Sequence, residues 1–130
     1  MPRINLTSIY VDDQERALYF YTEILGFLKK DDLPLGEHRW LTLVSPEEPH
    51  GVELCLEPDS HPAARSFKAA LLSDGIPFTS FAVEDARRLH SELTARGVHF
   101  TRPPLEMGRF TAIVLDDTCG NLIQLVSSAP

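Results

Sequence analysis

The sequence predicts an α+β fold built from two tandem βαβββ units, and a stretch that occurs twice is the first observation behind this prediction. Thr7-Ser8-Ile9-Tyr10-Val11-Asp12-Asp13 is echoed in the second half of the chain by Thr79-Ser80-Phe81-Ala82-Val83-Glu84-Asp85, and each copy is an apolar strand that leads into an acidic helix start. The second observation is that later landmarks recur at nearly the same offset: Leu25-Gly26-Phe27 with Arg96-Gly97-Val98, Leu35-Gly36 with Met107-Gly108, and Val52-Glu53-Leu54 with Ile123-Gln124-Leu125. A repeat of this length indicates one supersecondary unit used twice.

Composition limits the classes of function. The 130 residues, 43% of them apolar, suffice for one compact domain or two half-domains that share a core. The net charge of -7 disfavours binding to nucleic acid or to anionic membranes. No apolar run reaches the roughly 18–20 residues that span a bilayer, and no export signal is recognisable. We therefore expect a cytoplasmic protein whose cysteines, Cys55 and Cys119, are thiols.

The first unit is predicted to occupy residues 1–57. Ile4–Val11 is rich in β-branched residues and indicates a strand. Asp12 is a candidate helix N-cap with Glu15 three positions on, and Gly26 is positioned to end the helix. Three further strands and one loop complete the unit: strands at Phe27–Lys30, Arg39–Val44 and Gly51–Leu56, and the loop at Asp31–Gly36.

Residues 58–77 are predicted to be a linker with a short helix over Ala63–Leu72. The second unit, residues 78–130, repeats the order of the first. Asp85 is its predicted helix cap and Gly97 the end of its helix. Its remaining predicted elements are strands at Phe78–Val83, Val98–Thr101, Phe110–Leu115 and Leu122–Val126, with a loop at Arg102–Gly108.

Two tandem units that open with Val11-Asp12-Asp13, continue with Phe20-Tyr21 and Leu25-Gly26-Phe27, and close with Asp117-Thr118-Cys119-Gly120-Asn121 resemble the vicinal oxygen chelate superfamily. That group includes glyoxalase I, bleomycin-resistance proteins, extradiol dioxygenases and epimerases. The resemblance covers nearly the whole chain. It implies a pseudo-twofold, curved mixed sheet with a ligand-binding central cleft. It does not identify the reaction, because one scaffold hosts many functions.

The resemblance also implies where metal ligands would lie, on the first and last strand of each unit. Those positions in this chain are Leu6 and Phe78 on the first strands, and Glu53 and Gln124 on the last, at nearly equal offsets. Leu6 and Phe78 have no donor atom, whereas a catalytic metal ion generally needs at least three protein ligands. We therefore expect no cofactor and no complete metal site; any bound divalent ion would use Glu53, Gln124 and His38.

Several side chains are candidates for contacting a small molecule. If Glu53 faces the cleft, desolvation is expected to raise its pKa, which suits a general base; alternatively it only fixes the sheet. Gln124 is expected to bind a ligand carbonyl or to pair with Glu53. His38 reaches the cleft or lies on the surface. The expected apolar walls are Leu6, Trp40, Phe78 and Phe110.

The leading hypothesis is a glyoxalase/bleomycin-resistance-like protein that binds a small, partly apolar molecule. The alternative is a metal-dependent lyase, isomerase or dioxygenase that acts on a substrate with vicinal oxygens, so the sequence leaves open whether the protein is an enzyme. A third hypothesis is a structural or interaction role, with the cleft filled by its own side chains. Open sheet edges also predict a homodimer.

Overall fold

The computed structural model describes residues 1–129, which form two compact units, residues 1–66 and residues 67–129. The first unit contains β1 (Leu6–Val11), α1 (Gln14–Tyr19), a π-helical turn (Phe20–Ile24), β2 (Leu28–Leu35), β3 (His38–Val44) and β4 (Glu53–Pro58). The division falls within α2 (Pro62–Ser73). The second unit contains β5 (Thr79–Ala82), α3 (Ala86–Ala95), β6 (Leu105–Met107), β7 (Phe110–Asp116) and β8 (Leu122–Ser128).

Each unit is built on a four-stranded mixed sheet. The strand orders are β1-β4-β3-β2 and β5-β8-β7-β6. The pairs β1–β4 and β5–β8 are parallel, and the other neighbours are antiparallel. The predicted α+β fold of two βαβββ units is therefore confirmed. No helix within residues 1–129 has both the length and the apolarity to cross a bilayer.

The two helix starts are equivalent in structure as well as in sequence. The Asp13 carboxylate accepts the Arg16 backbone N–H at 3.0 Å, and Asp85, at the matching position of the second repeat, accepts the Arg88 N–H at 3.1 Å. These caps satisfy N–H groups that have no partner inside a helix. The predicted cap at Asp12 is wrong by one position, whereas the cap at Asp85 is confirmed. Gly26 and Gly97 follow the helices with φ of +89° each, as expected for terminating glycines.

One face of each sheet is apolar and packs on its helix. Alternation along paired strands places these buried side chains together: Ile9, Val11, Leu41, Leu43, Leu54 and Leu56 in the first unit, and Ile113, Leu115, Ile123 and Leu125 in the second. The helices contribute Ala17, Phe20 and Tyr21 to the first core, and Ala86 and Leu93 to the second. The opposite face of each sheet carries those predicted ligand contacts that lie on the strands, and we call it the helix-free face because α1 and α3 pack on the other one; Phe78 lies just before β5.

Gln14, the first residue of α1, bridges two strands of the first sheet. The β3–β4 ladder consists of the pairs Thr42–Cys55 and Leu43–Leu54. Beyond it, the Gln14 amide accepts the Arg39 N–H at 3.1 Å and donates to the Arg39 and Leu56 carbonyls at 2.8 and 2.9 Å. In the second unit the β7–β8 ladder itself continues over seven pairs. The helix amide therefore replaces ladder hydrogen bonds where β3 and β4 diverge.

The turn between β7 and β8 is held by a buried carboxylate and a buried ammonium group. Asp117 accepts the backbone N–H groups of Cys119 and Asn121 at 2.7 and 3.0 Å. Lys68 of α2 donates to the Cys119 carbonyl at 2.8 Å. Gly120 has a φ of +94°, and a Cβ built on it would lie 2.9 Å from the end of the Lys68 side chain. The turn therefore requires glycine at this position.

Two predicted segments are corrected. The expected loop at Asp31–Gly36 largely continues β2 to Leu35, because the charged residues there find partners: Arg39 donates to Asp32 at 3.0 and 2.7 Å. Pro34 is tolerated because β2 is an edge strand. The expected strand at Val98–Thr101 is reduced to a single bridge between Phe100 and Leu115, and β6 forms instead within the predicted loop.

Strand pairing also corrects the correspondence between Glu53 and Gln124. Thr7 and its repeat-mate Thr79 pair with Leu54 and Ile123, which identifies Leu54 and Ile123 as equivalent positions. The antiparallel neighbours agree, because Leu43 pairs with Leu54, and Leu115 with Ile123. The counterpart of Glu53 in the second sheet is therefore Leu122, and the counterpart of Gln124 is Cys55. The sequence-based alignment of Glu53 with Gln124 is wrong by two positions.

Candidate functional site

Glu53 begins β4 on the helix-free face of the first sheet. It pairs with Leu6 of β1, so two of the predicted site residues are direct neighbours. Its side chain is 22% exposed, which leaves part of the carboxylate accessible.

The cation beside Glu53 comes from an irregularity in β2. Lys29 pairs with Leu43 and Asp31 with Thr42, so Lys30 is an extra residue with no partner on β3. Such a bulge redirects a side chain relative to the regular alternation. The Lys30 ammonium lies 3.2 Å from a carboxylate oxygen of Glu53, across the intervening strand. The bulge thus delivers an ammonium group to the carboxylate.

Thr42 links the bulge to Glu53. This residue is fully buried, and its hydroxyl accepts the backbone N–H of Asp31 at 3.2 Å. The same hydroxyl makes a hydrogen bond with the Glu53 carboxylate, which can only accept. One buried hydroxyl therefore satisfies a backbone donor freed by the bulge and orients the carboxylate.

These partners set the protonation state of Glu53. The Thr42 hydroxyl and then the Lys30 ammonium lower the pKa of Glu53, and this effect outweighs the opposing desolvation. The expectation of a raised pKa is wrong in sign, because it considered burial without these partners. A carboxylate with a lowered pKa is a weaker base, so Glu53 is better suited to accepting hydrogen bonds than to removing protons.

Cys55 of β4 lies on the same face of the sheet as Glu53 and Thr42. It pairs with Ser8 on one side and with Thr42 on the other, and it is 2% exposed. Burial, with the nearby Glu57 charge, raises the pKa of the Cys55 thiol to about 11. The thiol is therefore protonated at neutral pH and is not an activated nucleophile. Both cysteines are free thiols, as predicted.

The remaining first-unit candidates lie along β3 on the same face. Trp40 is half-buried and pairs with Leu33 of the edge strand. His38 is exposed at the start of β3. Arg39 lies between them in sequence but on the opposite face of the strand, where Asp32 and Glu15 engage its guanidinium group.

The second-unit candidates have different surroundings. Phe78 is half-buried and contacts Phe67 edge-to-face, with ring centroids 5.7 Å apart. Gln124 donates to the Ser80 hydroxyl at 3.1 Å. Phe110 is 41% exposed and lies under the Arg109 guanidinium, 5.2 Å from the ring centroid. The three side chains thus form separate contacts and no polar network like that around Glu53.

The residues present do not fit the metal site that the fold suggests. Leu6, the strand partner of Glu53, offers no donor, and the Glu53 carboxylate already has the Lys30 ammonium as its cation. In the second unit Phe78 has no donor atom and the Gln124 amide is bonded to Ser80. Within residues 1–129, no three His, Cys, Asp or Glu side chains are grouped as metal ligands.

Sequence reasoning missed Lys30 and Thr42. Comparing the two repeats could have identified Thr42. Its counterpart in the second repeat is Val114, so a hydroxyl takes the place of a methyl group on a buried strand. No such signal marks Lys30, whose role depends on the bulge.

An open groove of about 520 Å³ between α1 and β2 contains none of the predicted site residues.

Comparison with known proteins agrees with this architecture. Residues 3–125 match the Glyoxalase/Bleomycin resistance protein/Dioxygenase superfamily, and the chain belongs to that superfamily. The protein YurT of Bacillus subtilis (strain 168), described as uncharacterized, is 52% identical over 124 residues, which cover 95% of this chain and 98% of YurT.

Solved structures show the same fold. The crystal structure of UcmS2 superposes with a TM-score of 0.82 at 32% identity, covering 97% of this chain and 98% of UcmS2. TnmS3, an antibiotic binding protein from Streptomyces sp. CB03234, superposes with a TM-score of 0.75 at 24% identity, covering 99% and 98%.

Proposed function

We propose that this protein binds a small, partly apolar organic molecule on the helix-free face of its first sheet, without a complete catalytic metal site. The ion pair between Glu53 and Lys30 carries the proposal. Both side chains are partly exposed, at 22% and 40%, so a ligand can reach them. Leu6 and Trp40 on the same face supply apolar surface.

The ion pair indicates the chemistry of the ligand. An ionised carboxylate accepts hydrogen bonds and an ammonium donates them, so together they suit a molecule with hydroxyl and carbonyl groups. The two charges already balance each other, and a charged ligand would have to displace one of them. A neutral ligand with an aromatic or aliphatic body therefore fits best. Known antibiotic binding by TnmS3 supports a binding role for such a scaffold, although at 24% identity that likeness concerns the fold.

The test is a binding screen with a panel of neutral phenols and aromatic ketones, followed by ligand-detected NMR and calorimetry. Loss of one hydrogen bond to a charged group costs about 1.5–3 kcal/mol, or roughly tenfold or more in affinity. We expect Glu53→Gln and Lys30→Met each to weaken binding by that factor. Glu47→Gln, an exposed substitution in the β3–β4 turn, is the matched control.

Two results would overturn the proposal. One is a set of ligands whose affinity is the same for the wild type, Glu53→Gln and Lys30→Met. The other is stoichiometric binding of Ni²⁺, Zn²⁺ or Mn²⁺ that Glu53→Gln abolishes, which would support the metal-dependent lyase, isomerase or dioxygenase instead.

A further inference from the structure

Glu57 is a second acidic side chain on the helix-free face of the first sheet, and it differs from Glu53 in having no cation beside it. Glu53, Cys55 and Glu57 alternate along β4, so their side chains lie on one face. Lys30 balances the charge of Glu53 at 3.2 Å. Within residues 1–129, the carboxylate of Glu57 has neither an ion-pair partner nor a hydrogen-bond partner.

This unmatched carboxylate is half-buried. A charge withdrawn from water is normally paired or bound to a ligand. After burial, the Glu57 charge is the second cause of the raised pKa of the Cys55 thiol, so it acts within the sheet. Arg39 of β3 cannot balance it, because the Arg39 guanidinium lies on the opposite face. The charge of Glu57 is therefore available to a bound cation.

Two aromatic side chains flank Glu57 on the same face. Tyr10 of β1 is its direct strand partner. Trp40 of β3 lies on the other side, because the register set by the pair Thr42–Cys55 brings Trp40 opposite Glu57 two residues further along each strand. Both aromatic side chains are half-buried. The faces of tyrosine and tryptophan rings attract cations.

The divergence of β3 and β4 leaves space beside Glu57. The ladder between these strands ends at Thr42–Cys55, and on the helix side the Gln14 amide bonds to both strands beyond this point. Trp40 and Glu57 are therefore further apart than partners in a continuous ladder would be. A ligand group can enter between them from the helix-free face.

The second repeat agrees with this register and carries different residues there. Its three equivalent residues are paired neighbours on β5, β8 and β7: Ala82, Val126 and Ala112. These side chains are small and apolar, so the fold itself requires neither a charge nor an aromatic ring at these positions. The carboxylate and the two rings are specific to the first unit.

We propose that Glu57, Tyr10 and Trp40 bind an organic ammonium group. The carboxylate supplies the opposite charge, and the two rings supply cation–π contacts, which suit a weakly hydrated organic cation better than a strongly hydrated metal ion. The site lies about 13 Å along β4 from Glu53. Binding here does not require the ion pair of Glu53 and Lys30.

The test uses the fluorescence of Trp40, which is the single tryptophan of the chain. The probe is choline, and the control ligand is the neutral alcohol in which carbon replaces the ammonium nitrogen of choline. At constant ionic strength, we expect choline to change the Trp40 emission saturably and to bind about tenfold or more tightly than the neutral alcohol. Glu57→Gln should weaken choline binding by about tenfold or more and leave the neutral alcohol unaffected.

Glu47→Gln removes the same charge from the exposed β3–β4 turn and should leave choline binding unchanged. Tyr10→Leu should weaken choline binding by roughly fivefold, because one ring is lost. Circular dichroism would establish that each variant is folded. Three results would overturn the proposal: no saturable binding of choline, equal affinities for choline and the neutral alcohol, or an unchanged affinity for choline in Glu57→Gln.

Discussion

The buried hydroxyl of Thr42 offers the sharpest test of how the polar site is held. Thr42→Val replaces the hydroxyl by a methyl group of similar size and recreates the side chain found at the equivalent Val114. The variant removes the acceptor of the Asp31 N–H, which is 3.2 Å away, and the donor to Glu53. Packing is preserved, so any effect reports on the two hydrogen bonds.

The expected loss of stability follows from these two contacts. A hydrogen bond to a charged group contributes about 1.5–3 kcal/mol, and the partial exposure of Glu53 favours the lower end. Loss of the hydrogen bond from the Asp31 N–H costs about 1 kcal/mol more. The cost stays at this level because Asp31 is half-buried and water can reach the N–H group. The added methyl group recovers about 0.8 kcal/mol through burial. The net destabilisation is about 2 kcal/mol, or roughly 5–8 °C in Tm for a chain of this size.

Urea denaturation measures the free energy of unfolding, and a carboxyl-detected NMR titration follows the pKa of Glu53. We expect the variant to show both the lost stability and a pKa closer to the ordinary value for glutamate. Thr7→Val, on the exposed surface of β1, is the control and should stay within about 0.5 kcal/mol of the wild type. If Thr42→Val behaves like this control in both measurements, the hydroxyl does not organise the site.

Three further predictions concern pH and backbone strain. Because folding lowers the pKa of Glu53, the ionised carboxylate stabilises the fold above about pH 4.5, and this contribution is lost as the pH falls through the lowered pKa. Lys30→Met should weaken the dependence of the unfolding free energy on pH in this range, and an unchanged dependence would refute the pairing. The Cys55 pKa of about 11 predicts stability lost between about pH 9 and 11, by up to about 3 kcal/mol, and Cys55→Ala should remove that dependence. Gly120→Ala should cost about 1–3 kcal/mol in urea denaturation, and more than Gly36→Ala, whose Cβ would meet open space; equal costs would contradict this account.

Features set by local chemistry could be predicted from the sequence. The repeat located both units because strands, helix caps and terminating glycines recur together. Asp85 caps its helix as predicted, Asp13 caps the first helix one residue after the predicted Asp12, and Gly26 and Gly97 have the same φ of +89°. Each of these signals depends on a few neighbouring residues, so it can be recognised without knowing how the strands pair.

The polar site depends on contacts between strands, and for this reason it could be predicted only in part. The resemblance placed Leu6 and Glu53 at ligand positions on the first and last strands of the unit, and the structure pairs these two residues. The partners that lower the pKa of Glu53 come from β2 and β3, through a bulge at Lys30 and the hydroxyl of Thr42. A single insertion in a ladder leaves no periodic signal in a short, charged edge strand. The direction of the Glu53 pKa shift therefore could not be predicted without knowing the register of the paired strands.

The length of the connection between the last two strands explains why Gln124 is not the counterpart of Glu53. Leu43 and Leu54 are paired across a longer connection than the one between Leu115 and Ile123, and this difference shortens the repeat offset at the last strand. Because of this difference in length, the residue of the second sheet that is equivalent to Glu53 is Leu122 and not Gln124. A polar network at the second site would need donors or acceptors at the counterparts of Thr42 and Glu53, but these are Val114 and Leu122. The duplication thus provides the scaffold twice, whereas the carboxylate–ammonium pair is built only in the first unit of the described chain.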